Sequence, residues 1–346
     1  MFLLNVFKMD SSIFGIKSKA VAGVVTGLLL QIGCTPRIDS DYTVIKKLPP
    51  SRETRVRETK AFNERIGLLD IDVMSDYILC TERNTEFFFS LYDSNLNLVS
   101  QFGRHGRGNE EFIAPVFLGE YSTGKELTFD ILDRATTRYQ TWVTDSSNGK
   151  TSLKESFHIR QDNIFEIRAL FRENDGSLFG ISDESDCRFF TASANLEDTE
   201  FHGNVMSFDN VPAHDLSQTC CAVKPDLSRI AIGYYNLPQM DIRTSDGSIV
   251  KSVFIGRILR PEDIDFESPD DYFLKLVADD ENIYALYLNG DEYNILSFDW
   301  SGRLLSRYSI APASSFCVDT KSKRVITVNY DTSEGVCSIY DLQDEV

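Results

Sequence analysis

The sequence is poor in the residue types on which most catalysis and metal binding depend. Its four histidines stand far apart, at 105, 158, 202 and 214, and no Cys-x-x-Cys or Cys/His spacing suits zinc. No Ser-His-Asp order and no activated cysteine marks a nucleophile, so neither a metal nor a cofactor is expected. Cations are scarce: 35 Lys and Arg against 53 Asp and Glu leave a net charge of −18. So acidic a chain repels phosphate backbones and anionic membrane surfaces, which argues against nucleic acid as a partner. Apolar runs are short, and the run over 20–30 falls below the ~20 residues that span a bilayer. Gly and Pro are spread over turns instead of gathered in a linker. Beyond the leader, helical periodicity is confined to a weak acidic stretch, 261–275. What remains is one domain built from strands.

The chain is rich in a repeat, in which an apolar strand meets an aromatic-Asp or Asp-Gly turn and a second apolar strand follows. It reads Phe89-Ser90-Leu91-Tyr92-Asp93-Ser94-Asn95-Leu96, then Ile242-Arg243-Thr244-Ser245-Asp246-Gly247, then Ile295-Leu296-Ser297-Phe298-Asp299-Trp300-Ser301-Gly302. Weaker copies lie near 138–142, 189–196 and 338–342. A period of about 50 residues means meanders that bury their faces only by stacking on one another, as in a propeller. The expected fold is all-β: six four-stranded antiparallel blades at 65–103, to 160, to 203, to 256, to 310 and to 346. Blade six shows only three strands, 315–318, 325–329 and 337–340. An open ring leaves an exposed edge. The spare strand 42–48, ended by Pro49-Pro50, is therefore expected to complete blade six from within a tether spanning 34–60, with 61–346 as the propeller. The charged segment 51–60 is expected to run over the surface.

Three further stretches carry a resemblance. Phe102-Gly103-Arg104-His105-Gly106-Arg107-Gly108-Asn109-Glu110-Glu111-Phe112 resembles a Gly-rich crossover loop, with Asn109 where that family has Pro. Asp133-Arg134-Ala135-Thr136-Thr137-Arg138 looks like an NHL turn, and Lys224-Pro225-Asp226-Leu227 like the turn of TolB-type blades. Together they resemble the six-bladed TolB-like or NHL-like propeller lipoproteins of Bacteroidetes, over about residues 65–346. The resemblance implies architecture; propellers host unrelated activities, so it implies no reaction.

The N-terminus reads as a leader. Lys17 and Lys19 precede the apolar run, which ends at Leu30-Gln31-Ile32-Gly33-Cys34, and Met9 is an alternative start. A small residue directly before Cys resembles a bacterial lipoprotein signal over 1–33, although Gln31 stands where Leu is usual. Removing 1–33 takes the net charge to −20. Membrane attachment would then come from acyl chains on Cys34 and from no basic patch. Of the other cysteines, Cys80, Cys187, Cys220, Cys221, Cys317 and Cys337, most sit in apolar strand-like runs and read as small buried hydrophobes.

Candidate sites are few. The loop 103–108 is no phosphate cradle, because Asn109, Glu110 and Glu111 follow it in place of Lys and Ser/Thr. Its glycines suit positive φ in a winding crossover that seats Phe112 between blades. Asp133 and Arg138 read as a turn tie, and the acids from Glu262 to Asp271 as a solvated face. Phe102-Gly103-Arg104 and Ile255-Gly256-Arg257 occupy equivalent places three blades apart. Arg104, His105 and Arg107 would then face Arg257 and Arg260 across one channel mouth, able to receive an acidic group such as a uronic acid or a carboxylate-bearing peptide. Pairing of these arginines with nearby carboxylates is the competing expectation. The chain thus reads as a non-catalytic envelope lipoprotein that binds a peptide, a glycan or an envelope protein. The rival is an exported hydrolase or lyase acting on carbohydrate or peptide. Replacing Cys34 with Ser is expected to move the protein from the membrane to the soluble fraction. Unchanged membrane association would overturn the lipoprotein reading.

Overall fold

The computed structural model describes residues 41–52, 56–61, 68–83, 86–123, 126–159, 167–173, 175–182, 188–196, 198–204, 218–259, 263–264, 270–329 and 336–342. Two strands come first, β1 (Tyr42–Ile45) and β2 (Val56–Ala61). Blade one is β3 (Leu68–Met74), β4 (Tyr77–Glu82), β5 (Phe87–Asp93) and β6 (Leu98–His105), with the two-residue β7 (Glu111–Phe112) on its edge. Blade two is β8 (Pro115–Thr123), β9 (Glu126–Asp133), β10 (Arg138–Asp145) and β11 (Thr151–His158). Blade three is β12 (Ile167–Arg172), β13 (Leu178–Ser182), β14 (Arg188–Ala192) and β15 (Thr199–Asn204). Blade four is β16 (Thr219–Val223), β17 (Ile230–Tyr234), β18 (Gln239–Arg243) and β19 (Ile249–Ile255). Blade five is β20 (Phe273–Ala278), β21 (Asn282–Asn289), β22 (Glu292–Asp299) and β23 (Leu304–Ser309). Blade six is β24 (Ser315–Asp319), β25 (Arg324–Asn329) and β26 (Val336–Asp341), completed by β2. The acidic stretch that looked weakly helical runs into β20 from Phe273 onward, its last residues taken by strand pairing with β21.

Six apolar clusters hold the ring, one at each joint between successive blades. Phe102, Phe112, Phe129 and Trp142 join blades one and two, and Met240, Val253, Phe273 and Phe298 join blades four and five. The closing joint packs Ile71, Ile78 and Cys80 of blade one against Cys317, Ile326 and Cys337 of blade six. Three of the cysteines are thus the buried hydrophobes that the sequence suggested. Cys220 and Cys221 differ, being only partly buried, and Cys187 lies outside the described residues.

The repeated Asp has a local cause. Asp93 Oδ1 accepts from the amides of Asn95 and Asn97 at 2.9 and 2.8 Å, and Asp299 Oδ1 accepts from those of Ser301 and Arg303, both at 3.0 Å. Each carboxylate substitutes for a missing ladder partner and closes the turn. Strands alternate in direction, so these turns share one face, hereafter the turn face. The blade-to-blade links share the other, the crossover face, where every inner strand begins.

Closure by an N-terminal strand in the last blade holds, but the strand is not 42–48. β2 pairs antiparallel with β26, from Val56↔Tyr340 to Ala61↔Val336, so the propeller begins inside the segment expected to lie on the surface. The reason is reach. Six residues separate Ala61 from Leu68 of blade one, as short as an ordinary link between blades. An outer strand needs backbone pairing more than apolar content, so Arg57, Glu58 and Lys60 do not disqualify it. β1 instead runs parallel along β19, from Tyr42↔Ser252 to Ile45↔Ile255, where Ile45 and Leu48 pack on the blade four–five cluster. A chain starting at Ser51 keeps β2 and is expected to melt cooperatively in a calorimeter. A chain starting at Phe62 is expected to lose that transition, and identical melting of the two would contradict closure through β2.

Candidate functional site

An inner strand of a propeller pairs on one side only, so its other edge turns carbonyls toward the channel. Cationic side chains from other blades meet several of them here. Arg134 Nη2 donates to the Arg168 carbonyl at 2.9 Å, and Arg168 Nη1 reaches the Thr219 carbonyl at 3.5 Å. Lys275 Nζ donates to the Ile71 carbonyl at 2.8 Å. These contacts tie blade two to three, three to four, and five to one.

Lys275 is the most heavily committed. Its ammonium also bonds Asp70 Oδ1 at 2.6 Å, Asp72 Oδ1 at 2.9 Å and Ser315 Oγ at 3.2 Å, and Ser315 Oγ donates to Asp70. Burial alone would push the Lys275 ammonium down, but Asp70 and Asp72 outweigh it and hold the group above its ordinary value. Burial pushes Asp72 up to about 6; the charge of Asp70 adds to this and Lys275 opposes it. Asp70 stays the more open of the two, with 46% of its side chain exposed against 18% for Asp72.

These groups line a cavity of about 400 Å³. All six blades contribute, including Asp70 and Asp72 from β3, Phe117 from β8, Arg168 from β12, Thr219 and Cys220 from β16, and Lys275 from β20. Ser314 and Ser315 complete the wall at β24. Every lining residue falls within the first five positions of its inner strand or just before it. The cavity is therefore the crossover-face end of the channel. Cys220 is no nucleophile in this setting: burial raises its thiol, with Cys221 adding to the effect, and its Sγ lies 3.5 Å from the Phe273 carbonyl. Among the described residues no group of three or more His, Cys, Asp or Glu is placed to hold a metal ion.

The residues singled out from the sequence lie elsewhere. Arg104 is the penultimate residue of β6, the outer strand of blade one, where it pairs with Glu86 at 3.0 Å and sits over the Phe87 ring. The His105 ring packs on Phe88 with centroids 3.9 Å apart. Arg107 is exposed, and its carbonyl accepts from Arg138 Nη2 at 2.8 Å. Arg257 is exposed after Gly256, whose φ is +77°, on the opposite blade of the ring. Arg260 lies outside the described residues. None of the four described lines the cavity.

The crossover loop itself is wound as expected. Gly103 has φ +72°, and a Cβ there would stand 2.7 Å from the ring of the fully buried Phe112. Asp133 and Arg138 both brace this loop. Asp133 accepts from the Ile113 and Ala114 amides at 3.1 and 2.9 Å, while Arg138 donates to the Gly108 and Arg107 carbonyls. Asp133 also accepts from the Ala135 amide at 3.2 Å and the Thr136 hydroxyl at 2.8 Å, so it ties its own turn as the sequence suggested, while Arg138 serves the crossover.

Asp70, Asp72, Arg168 and Lys275 had a signal that went unread. Each is a charge flanked by apolar residues at the start of a blade, as in Phe273-Leu274-Lys275-Leu276 and Ile167-Arg168-Ala169-Leu170.

Solved structures share this fold. An exported-protein candidate from Bacteroides fragilis is 12% identical with a TM-score of 0.56, over 88% of this chain and 100% of that one. A member of the DUF4221 family from Bacteroides vulgatus is 8% identical with a TM-score of 0.56, over 85% of this chain and 99% of that one. At such identities the likeness is one of fold. No family model matches the sequence, and no curated protein is significantly similar to it.

Asp72 gives the stability a pH dependence of known sign. Its folded carboxyl holds the proton more tightly than the ordinary value of 3.8, so its contribution is full below about pH 4 and is lost as pH rises through about 6. Asp72→Asn lacks this slope. Urea midpoints of the wild type should fall relative to the variant across that window and run parallel to it above neutrality. Parallel curves throughout would contradict the assignment.

Proposed function

We propose that this is an exported, lipid-anchored envelope protein of the TolB-like or NHL-like propeller type. It binds a compact polar ligand, without catalysis, in the crossover-face end of its channel. The observation that carries the reading is the cavity of about 400 Å³ to which all six inner strands contribute. Small-molecule sites typically measure about 300–1,000 Å³, so this one suits a metabolite or the end of a peptide or glycan more than the length of a polymer. Its charged groups favour holding over reacting. Lys275 is kept protonated between two carboxylates and the Cys220 thiol is pushed up, so neither supplies a nucleophile. The hydrolase or lyase reading has Asp72 as its one support, a carboxyl near pKa 6, but that carboxylate is spent on the Lys275 ammonium.

Export and anchoring rest on the leader and on Cys34. Among the described residues no helix is long and apolar enough to cross a membrane.

A thermal-shift panel of amino acids, dipeptides, uronic acids and neutral oligosaccharides tests the binding reading. One compact class should raise the melting temperature of the purified protein; at 100 times the dissociation constant the stabilisation is about 2.7 kcal/mol. The shift should vanish in Arg168→Ala. A shift that survives there and is lost in Arg104→Ala or Arg257→Ala would return the site to the crossover loops.

A further inference from the structure

A second cavity, of about 470 Å³, lies on the turn face at the joint between blades five and six, opposite the face of the channel cavity. Its volume falls in the range of about 300–1,000 Å³ typical of small-molecule sites. The wall from blade five carries a row of hydroxyls. Tyr284 of β21 pairs with Ser297 of β22, and Ser297 with Ser306 of β23, so the three stand side by side on the face turned to blade six. Tyr284 Oη donates to Asp279 Oδ2 at 3.3 Å. Ser297 and Ser306 are 5% and 7% exposed, yet neither hydroxyl has a hydrogen-bond partner among the described residues, and both keep surface on the cavity. Hydroxyls this buried are normally paired. At the rim, the Glu281 carboxylate and the Thr320 hydroxyl also have no partner among the described residues.

From this arrangement we infer a second binding site, independent of the channel cavity, that takes a neutral saccharide of one or two rings. Each sugar hydroxyl both donates and accepts, as Ser297 and Ser306 require, and a vicinal pair fits the two oxygens of Glu281. The charges favour neutrality. Asp279 and Glu281 are matched by Arg52 and Lys323 on the same lining, so an anion or a cation gains no net attraction. Asp279 is already committed, its Oδ1 accepting from the Glu281 and Asn282 amides at 2.8 and 2.6 Å. Tyr308 and Leu342 supply apolar surface for the C–H face of a pyranose. A purely apolar ligand would leave both serine hydroxyls buried and unpaired.

Isothermal titration calorimetry of the purified protein with cellobiose, maltose, lactose and leucyl-alanine tests the inference. At least one of the disaccharides should bind, and Ser297→Ala combined with Ser306→Ala should weaken it at least tenfold. Because those hydroxyls are unpaired in the free protein, the double variant should melt no lower than the wild type. Glu281→Gln, at an exposed position, should weaken the same sugar, and Arg168→Ala, in the channel, should leave its affinity unchanged. Binding of none of the three disaccharides overturns the inference, as does a disaccharide affinity that survives the double serine variant. Disaccharide binding lost in Arg168→Ala and kept in the serine variant overturns it as well, but leaves the channel reading standing. Binding of leucyl-alanine alone, dependent on the two serines, would make the pocket a peptide site and overturn the saccharide class.

Discussion

A ring of blades has two kinds of loose edge, and this structure depends on how both are tied. The chain must close on itself or leave a strand unpaired at the last blade, and each inner strand turns one backbone edge to the channel. Closure is made by β2 on β26, reinforced by the apolar joint between blades one and six. The channel edges are met by cations from other blades, with Arg134 on Arg168, Arg168 on Thr219, and Lys275 on Ile71. Of these cations, Arg168 and Lys275 also line the cavity, so the proposed binding role falls on side chains that already hold the ring.

The two faces differ chemically for a reason that starts with the repeat. Asp145, Asp175, Asp226 and Asp246 close turns on the turn face, and hydrogen bonds from serine or threonine hydroxyls and serine amides hold their carboxyls below the ordinary range. Asp226 falls to about 2. These four carboxylates are thus locked into turns and stay ionised at any ordinary pH. The opposite face holds Lys275 and Arg168 at the channel end. Within a chain of net charge −18 the cavity wall carries both signs, Asp70 and Asp72 beside Lys275 and Arg168.

How much was legible follows from these causes. The blades were readable because each must repeat the same apolar strands and the same Asp turn; Tyr77–Glu82, Phe87–Asp93 and Ser315–Asp319 fall where the pattern puts them. The need for a closing strand was readable too. Its identity was not, since link length and backbone pairing select an outer strand while apolar content misleads, as 42–48 did. The channel residues were hidden because strand pattern does not say which strand lies innermost, and only that position gives a lone Lys275 or Arg168 its meaning. The crossover loop drew attention through Gly and Arg, yet most of its features answer to packing: Phe112 plugs the joint and Arg138 holds the loop carbonyls.

Native-state hydrogen exchange across a denaturant series tests the closed ring most directly. If β2 and the Lys275 contacts close it, amides of β3 and β24 at the joint should converge with those of β9 and β17 on a single global unfolding isotherm. Opening of blades one and six at lower denaturant, ahead of the other four, would contradict the account.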